Sequence, residues 1–167
     1  MKPILFLYIV IFSCTVHAEQ LKVGLLKSPQ KHEYGLNLNV EYVGDKHQEF
    51  YNLAFQIGAN INCEGYTSVL YIGTVWEKIF KNSIFVSVSL GGAVHNGTLD
   101  KKKRDKLIKK IGRIFGSRVL FRESMDFGYV FENENKISCF IDHISNADIA
   151  PPNHGLTTLG VRYSINL

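Results

Sequence analysis

Past its first 18 residues this 167-residue sequence has no uninterrupted apolar run long enough to form a membrane-spanning helix, which excludes a helical bundle in a bilayer. It shows no internal repeat, no low-complexity tract and no second domain, so solenoids and disordered arrays are excluded as well. Cysteine is scarce. Cys14 falls in the leader, Cys63 in an expected loop and Cys139 in the middle of an expected strand, so no disulfide can be argued and no zinc-like spacing exists. Charge of one sign is in small excess, a formal net charge of +4, and the excess is local. It sits in Lys101, Lys102, Lys103, Arg104, Lys106, Lys109, Lys110 and Arg113.

What is present begins with an export signal. Lys2 gives a positive start, Ile4 to Phe12 an apolar core, and Val16-His17-Ala18 small residues ahead of a cut before Glu19. Residues 1–18 are therefore expected to be a signal peptide and 19–167 a single domain. Acylation at Cys14 after Ile11-Phe12-Ser13 is the weaker alternative, because Phe12 is bulky. An exported chain has little use for nucleic acid, and its basic stretch must be explained otherwise.

The mature sequence is rich in period-two alternation, the mark of strands with two unlike faces. Leu159, Val161, Tyr163, Ile165 and Leu167 form one face and Gly160, Arg162, Ser164 and Asn166 the other. Leu53 to Ile61, Leu36 to Tyr42, Ile84 to Leu90 and Val119 to Phe131 alternate likewise, with Glu123 the exception on an apolar face. The polar faces carry mostly Asn, Ser, Gly and Gln with a few Arg, Asp and Glu. Such faces suit a hydrogen-bonded lumen better than open water, and apolar faces turned outward suit lipid. Strands at about 20–28, 35–43, 48–61, 66–76, 84–92, 117–131, 136–146 and 156–167 predict an all-β fold, an eight-stranded antiparallel transmembrane β-barrel. Arg118, Arg122, Asp126 and Arg162 are expected to form a network in its lumen.

The connections agree with that fold. Those after the second, fourth and sixth strands are short and polar, at Gly44 to His47, Lys81-Asn82-Ser83 and Glu132 to Asn135. Longer ones run from Ala93 to Gly116 and, rich in proline, from Ala147 to Gly155. Outer-membrane barrels have short periplasmic turns and longer outside loops, so both termini are expected in the periplasm and the seventh strand runs outward, ending near Ser145. In the long connection, Leu107, Ile108, Ile111, Ile114 and Phe115 recur at helical spacing. They suggest either a basic amphipathic helix at the outer surface or an ordinary solvated loop.

Chemistry is concentrated at His143-Ile144-Ser145-Asn146, where an apolar strand ends. By parity His143 and Ser145 leave the same side as Ile137, Cys139 and Ile141, so a base and a hydroxyl nucleophile share an oily surface. That placement makes sense for hydrolysis if the substrate is a lipid. Otherwise the two are rim residues where a strand leaves the bilayer.

Several segments together carry a resemblance to a known family: Gly116-Ser117-Arg118-Val119-Leu120-Phe121-Arg122-Glu123, His143-Ile144-Ser145-Asn146-Ala147, Pro152-Asn153-His154-Gly155 and Gly160-Val161-Arg162-Tyr163. The sequence resembles the lipid A 3-O-deacylase (PagL) family. The resemblance implies an outer-membrane serine esterase that removes the acyl chain at the 3 position of lipid A (lipopolysaccharide), without cofactor or metal. It implies Ser145 as nucleophile, His143 as general base and Asn146 as contributor to the oxyanion hole. The sequence departs from the family at Thr157, where a carboxylate would orient the histidine from the neighbouring strand. Asp148 on the adjoining loop is a candidate substitute, whereas Asp142 has the wrong parity. Two rivals stand beside this reading. A non-enzymatic barrel with a structural or adhesion role would fit all but the His-x-Ser-Asn motif, and a soluble periplasmic lipid-binding barrel would need its apolar faces inside. An oligomer is compatible with any of them.

Overall fold

The structure, a computed structural model, describes residues 18–47, 52–99 and 112–167. Eight strands form: β1 (Ala18–Lys27), β2 (Leu36–His47), β3 (Leu53–Asn62), β4 (Val69–Ile79), β5 (Ile84–His95), β6 (Val119–Val130), β7 (Lys136–Ser145) and β8 (Leu156–Asn166). Each pairs antiparallel with its sequence neighbours, and β1 pairs with β8 to close the barrel. Closure removes every unpaired strand edge, the condition for carrying a sheet across hydrocarbon.

Alternation decides which side faces where. In β6, Val119, Phe121, Met125 and Phe127 are exposed on the outside while Arg122, Ser124 and Asp126 are buried within. A soluble lipid-binding barrel would have the opposite arrangement, so the chain is a transmembrane β-barrel and that rival falls. Tyr129 and Phe131, with ring centroids 5.6 Å apart, stand with Tyr163 at the short-turn end, where aromatic rings favour the membrane interface.

The lumen is filled with side chains. At mid-height three cations, Lys22, Arg122 and Arg162, meet three carboxylates, Glu41, Asp126 and Asp142. Glu41 lies 3.1 Å from Lys22 Nζ, 3.1 Å from Arg162 Nη1 and 3.5 Å from Arg122 Nη2, and it accepts the Tyr71 hydroxyl at 2.9 Å. Arg162 Nε donates to Asp126 at 2.6 Å, and Arg122 reaches Asp142 at 3.1 Å while its guanidinium lies over the Tyr71 ring. Equal numbers of opposite charges lower the cost of burial, which an unpaired charge here would incur in full. Toward the long-loop end this polar belt gives way to an apolar plug of Val69, Tyr71, Ala93, Phe115, Leu120, Ile144 and Leu156. Toward the other end lies a smaller cluster of Val43, Ala54 and Val75, beside an ion-paired group of Glu77 with Lys46 and Lys136.

Two short turns are built alike. Ser83 N donates to Phe80 O, Glu134 N donates to Phe131 O, and Ser83 and Glu134 take the left-handed conformation at φ 62° and 64°. This is the three-residue hairpin that matches the twist of paired strands.

Several expectations need correction. Gly44 to His47 is not a turn but the end of β2, which continues past an irregularity between Val43 and Lys46 to pair Lys46 with Ala54 and His47 with Leu53. The fourth strand runs from Val69, not from residue 66, because Thr67 is drawn into the loop by the Glu33 carboxylate, which accepts its hydroxyl at 2.6 Å. Arg118 is not in the lumen. It sits before β6 and donates to the carbonyls of His95 and Gly97 at the rim. The proposed helix falls largely on residues 100–111, outside the described residues, as does the leader except for Ala18. Ile114 and Phe115, assigned to that helix, are instead buried, with Ile114 bridged to Thr98 and Phe115 in the apolar plug.

Candidate active site

The outward face of β7 ends in Ile141, His143 and Ser145 at the long-loop end of the barrel. Register fixes the neighbours of each. His143 pairs with Thr157 of β8 on one side and Glu123 of β6 on the other, and Ser145 pairs with Phe121 of β6. All five side chains leave the barrel's outer surface.

The His143 ring is held from the β8 side. Its Nδ1 is 2.8 Å from Thr157 Oγ1, the neighbour that the resemblance implied and whose outward face parity gave. When Nδ1 carries the proton and donates to this hydroxyl, Nε2 is left as an acceptor, the state a general base requires. Thr157 is in turn fixed by the β1–β2 loop: its N–H donates to Gln30 Oε1 at 2.9 Å and its carbonyl accepts the Ser28 hydroxyl at 3.0 Å. Gly155 closes over the ring. A Cβ there would lie 3.1 Å from His143 Cε1 and 3.4 Å from Nε2, at a φ of +54° that favours glycine. Ser145 is partly exposed and its hydroxyl makes no hydrogen bond among the described residues.

Asn146 lies on the other side of the strand from Ser145. Its even parity turns it inward, where it is 3% exposed, and its side-chain amide donates to Phe115 O at 2.6 Å and Ala150 O at 2.5 Å. Its backbone N–H donates to Asn153 Oδ1. Every N–H of Asn146 is thus spent on holding the β7–β8 loop and the Phe115 segment together. The next residues, Ala147 and Asp148, both take positive φ, and the Ala147 N–H has no partner among the described residues. Asp148 is exposed on the loop and is not brought to hydrogen-bonding distance of His143. Arg113 ties the far end of that loop, donating from Nε to Gly155 O at 2.5 Å and from Nη2 to His154 O.

Beside the site the outer wall is grooved. Gly92, outward-facing on β5 and with open space where a Cβ would stand, pairs with Phe121 and shares two adjoining apolar hollows with Val119. One, of about 310 Å³, is bounded by Leu70, Ile72 and Val94. The other, of about 450 Å³, reaches Phe121, Asn146 and Ile149. Among the described residues no three His, Cys, Asp or Glu side chains are grouped to hold a metal ion.

Sequence reasoning found His143, Ser145 and Thr157 and their common face. It missed the Ser28 and Gln30 clamp, the Gly155 seat and the groove at Gly92. Only Glu123 left a trace, as a break in an apolar face.

Comparison with known proteins follows the same lines. The model of the family described as lipid A 3-O-deacylase (PagL) matches residues 32–166. Among solved structures, the crystal structure of the outer membrane enzyme PagL is similar with a TM-score of 0.66 and 17% identity, covering 89% of this chain and 99% of that one. The backbone structure of the Yersinia pestis outer membrane protein Ail, in a phospholipid bilayer nanodisc, gives a TM-score of 0.51 and 11% identity, again over 89% and 99%. At such identities both are likenesses of fold. No curated protein matches the sequence.

Proposed function

We propose that this chain, which belongs to the lipid A 3-O-deacylase (PagL) family, hydrolyses the ester at the 3 position of lipid A in the outer leaflet of the outer membrane. The observation that carries this reading is His143 beside Ser145 on the lipid-facing wall, its Nδ1 engaged by Thr157. A water-soluble substrate would have no reason to seek a nucleophile placed there.

Ser145 Oγ attacks the ester carbonyl as His143 Nε2 takes its proton. The tetrahedral oxyanion needs a donor, and the Ala147 N–H, two residues past the nucleophile and without a partner among the described residues, can supply one. Asn146 serves the oxyanion hole by fixing the turn that presents it. Collapse of the intermediate returns the proton from Nε2 to the departing sugar oxygen and leaves an acyl-Ser145, which water then hydrolyses with His143 as base again. The released chain fits the apolar hollows at Gly92 and Val119. Incubation of the purified barrel in detergent micelles with lipid A should release one acyl chain, identified by mass spectrometry as that at position 3. Loss of a chain from any other position would contradict the assignment.

Topology makes a separate prediction. With the long-loop end outside, a tag inserted at Pro151 should be reached by antibody on intact cells and a tag at Asn133 should not. The reverse pattern would put Ser145 at the inner leaflet, away from its substrate.

Thr157 is the feature that favours the second reading, a non-enzymatic barrel, because it can orient an imidazole but cannot offset a charge. Replacing it with a carboxylate discriminates the two. Thr157→Glu should raise the deacylation rate about tenfold by placing a charged acceptor at Nδ1, whereas Asp148→Asn should leave the wild-type rate unchanged. A barrel inactive with either residue at 157 would be non-enzymatic.

A further inference from the structure

We infer that Glu123 is the charged partner of His143, a positioning residue on β6 that supplies the negative charge Thr157 cannot. This rests on His143 acting as the general base.

Glu123, His143 and Thr157 form one row across three strands, all facing outward. Directly opposed residues of an antiparallel pair have Cβ atoms roughly 5 Å apart, so a change of rotamer brings the Glu123 carboxylate to the neighbouring imidazole, with which it is not ion-paired in this structure. Glu123 is exposed and has no hydrogen bond or ion pair among the described residues. Its neighbours on the same face, Phe121 and Met125, are large and apolar. A charge on the lipid-facing wall away from the strand ends destabilises a barrel, and a barrel with no use for it would carry an aliphatic residue there.

The chemistry supplies the use. Proton transfer from Ser145 makes His143 an imidazolium in a site of low dielectric constant, where an opposite charge within reach matters most. In a Ser-His-acid triad one carboxylate both fixes the tautomer and offsets this charge. Here the two tasks are divided between strands: the Thr157 hydroxyl fixes Nδ1 from β8, and the Glu123 carboxylate offsets the charge from β6. The other charged groups nearby do not serve. Asp142 of β7 faces the lumen and is bound to Arg122, and Arg122 itself points inward from β6. Asp148 and His154 lie exposed on the β7–β8 loop, and Arg113 is committed to the carbonyls of that loop.

The test compares wild type with Glu123→Gln, which keeps size and removes charge, in detergent micelles. Three readouts are followed: the pH dependence of deacylation, NMR titration of the His143 ring, and thermal unfolding. Loss of the carboxylate should lower kcat about tenfold with KM unchanged, and move the acid limb of the pH–rate profile and the ring titration to lower pH, the direction that follows from removing a negative charge beside an imidazolium. Unfolding temperature should hold or rise, since a charge has left the lipid-facing wall. Thr157→Glu added to Glu123→Gln should restore the wild-type profile, which a purely structural role for Glu123 would not allow. An unmoved ring titration would overturn the inference, and so would a change in KM alone, which would make Glu123 a substrate contact. The ring titration needs no turnover, so a barrel that deacylates nothing still answers for Glu123 while contradicting the esterase reading.

Discussion

Ser145→Ala is expected to lower release of the 3-linked acyl chain from lipid A by about four orders of magnitude or more, and His143→Ala by a comparable factor. The two act as one unit, so the double variant should lose little beyond either single one. Both side chains stand on the outer wall, with Ser145 making no hydrogen bond among the described residues and His143 bound through Thr157. Removing them should therefore leave the barrel intact, shown by unchanged heat-modifiable migration in gels. Full activity in Ser145→Ala would mean that the nucleophile lies elsewhere.

The second large effect is on stability. Glu41 is fully buried and meets Lys22, Arg122 and Arg162 together with the Tyr71 hydroxyl. Glu41→Ala leaves three buried lumen cations, Lys22, Arg122 and Arg162, facing two remaining carboxylates. Breaking such a buried pairing costs roughly 3–5 kcal/mol. Urea unfolding of the folded barrel in lipid vesicles should show that loss. Glu41→Gln, which retains an acceptor for Tyr71, should lose less. A change under about 1 kcal/mol for Glu41→Ala would show that the lumen carries solvent enough to screen its charges.

How much of this was legible before folding depends on the range of the interaction. Period-two alternation is local, so most of the strands and the outward face of His143 and Ser145 could be read directly, whereas Thr67 to Trp76 alternates poorly and marked the fourth strand only weakly. Parity put Thr157 on the outward face of β8, and the resemblance put it beside His143, where the β7–β8 register has it. Strand ends were less legible where a long-range contact decides them. Glu33 pulls Thr67 out of β4, and the irregularity between Val43 and Lys46 lets β2 run past an apparent turn. The same limit hid the Gln30 and Ser28 clamp on Thr157, which spans 127 and 129 residues of sequence. Asn146 shows where pattern and resemblance speak to different things: its parity, opposite to that of Ser145, places it inside, and the resemblance alone gives it a part in the oxyanion hole. Glu123 is the converse case, since its one break in an apolar pattern marked a site that neither motif nor spacing named.

The most direct measurement is mass spectrometry of lipid A from cells of a bacterium without this activity, with and without the protein in its outer membrane. The account predicts a new species lighter by one 3-linked acyl chain in cells with the wild type, absent with Ser145→Ala at equal barrel levels. Lipid A of unchanged mass with the wild type, across several lipid A structures, would contradict it and leave a barrel that keeps the family's fold without its chemistry.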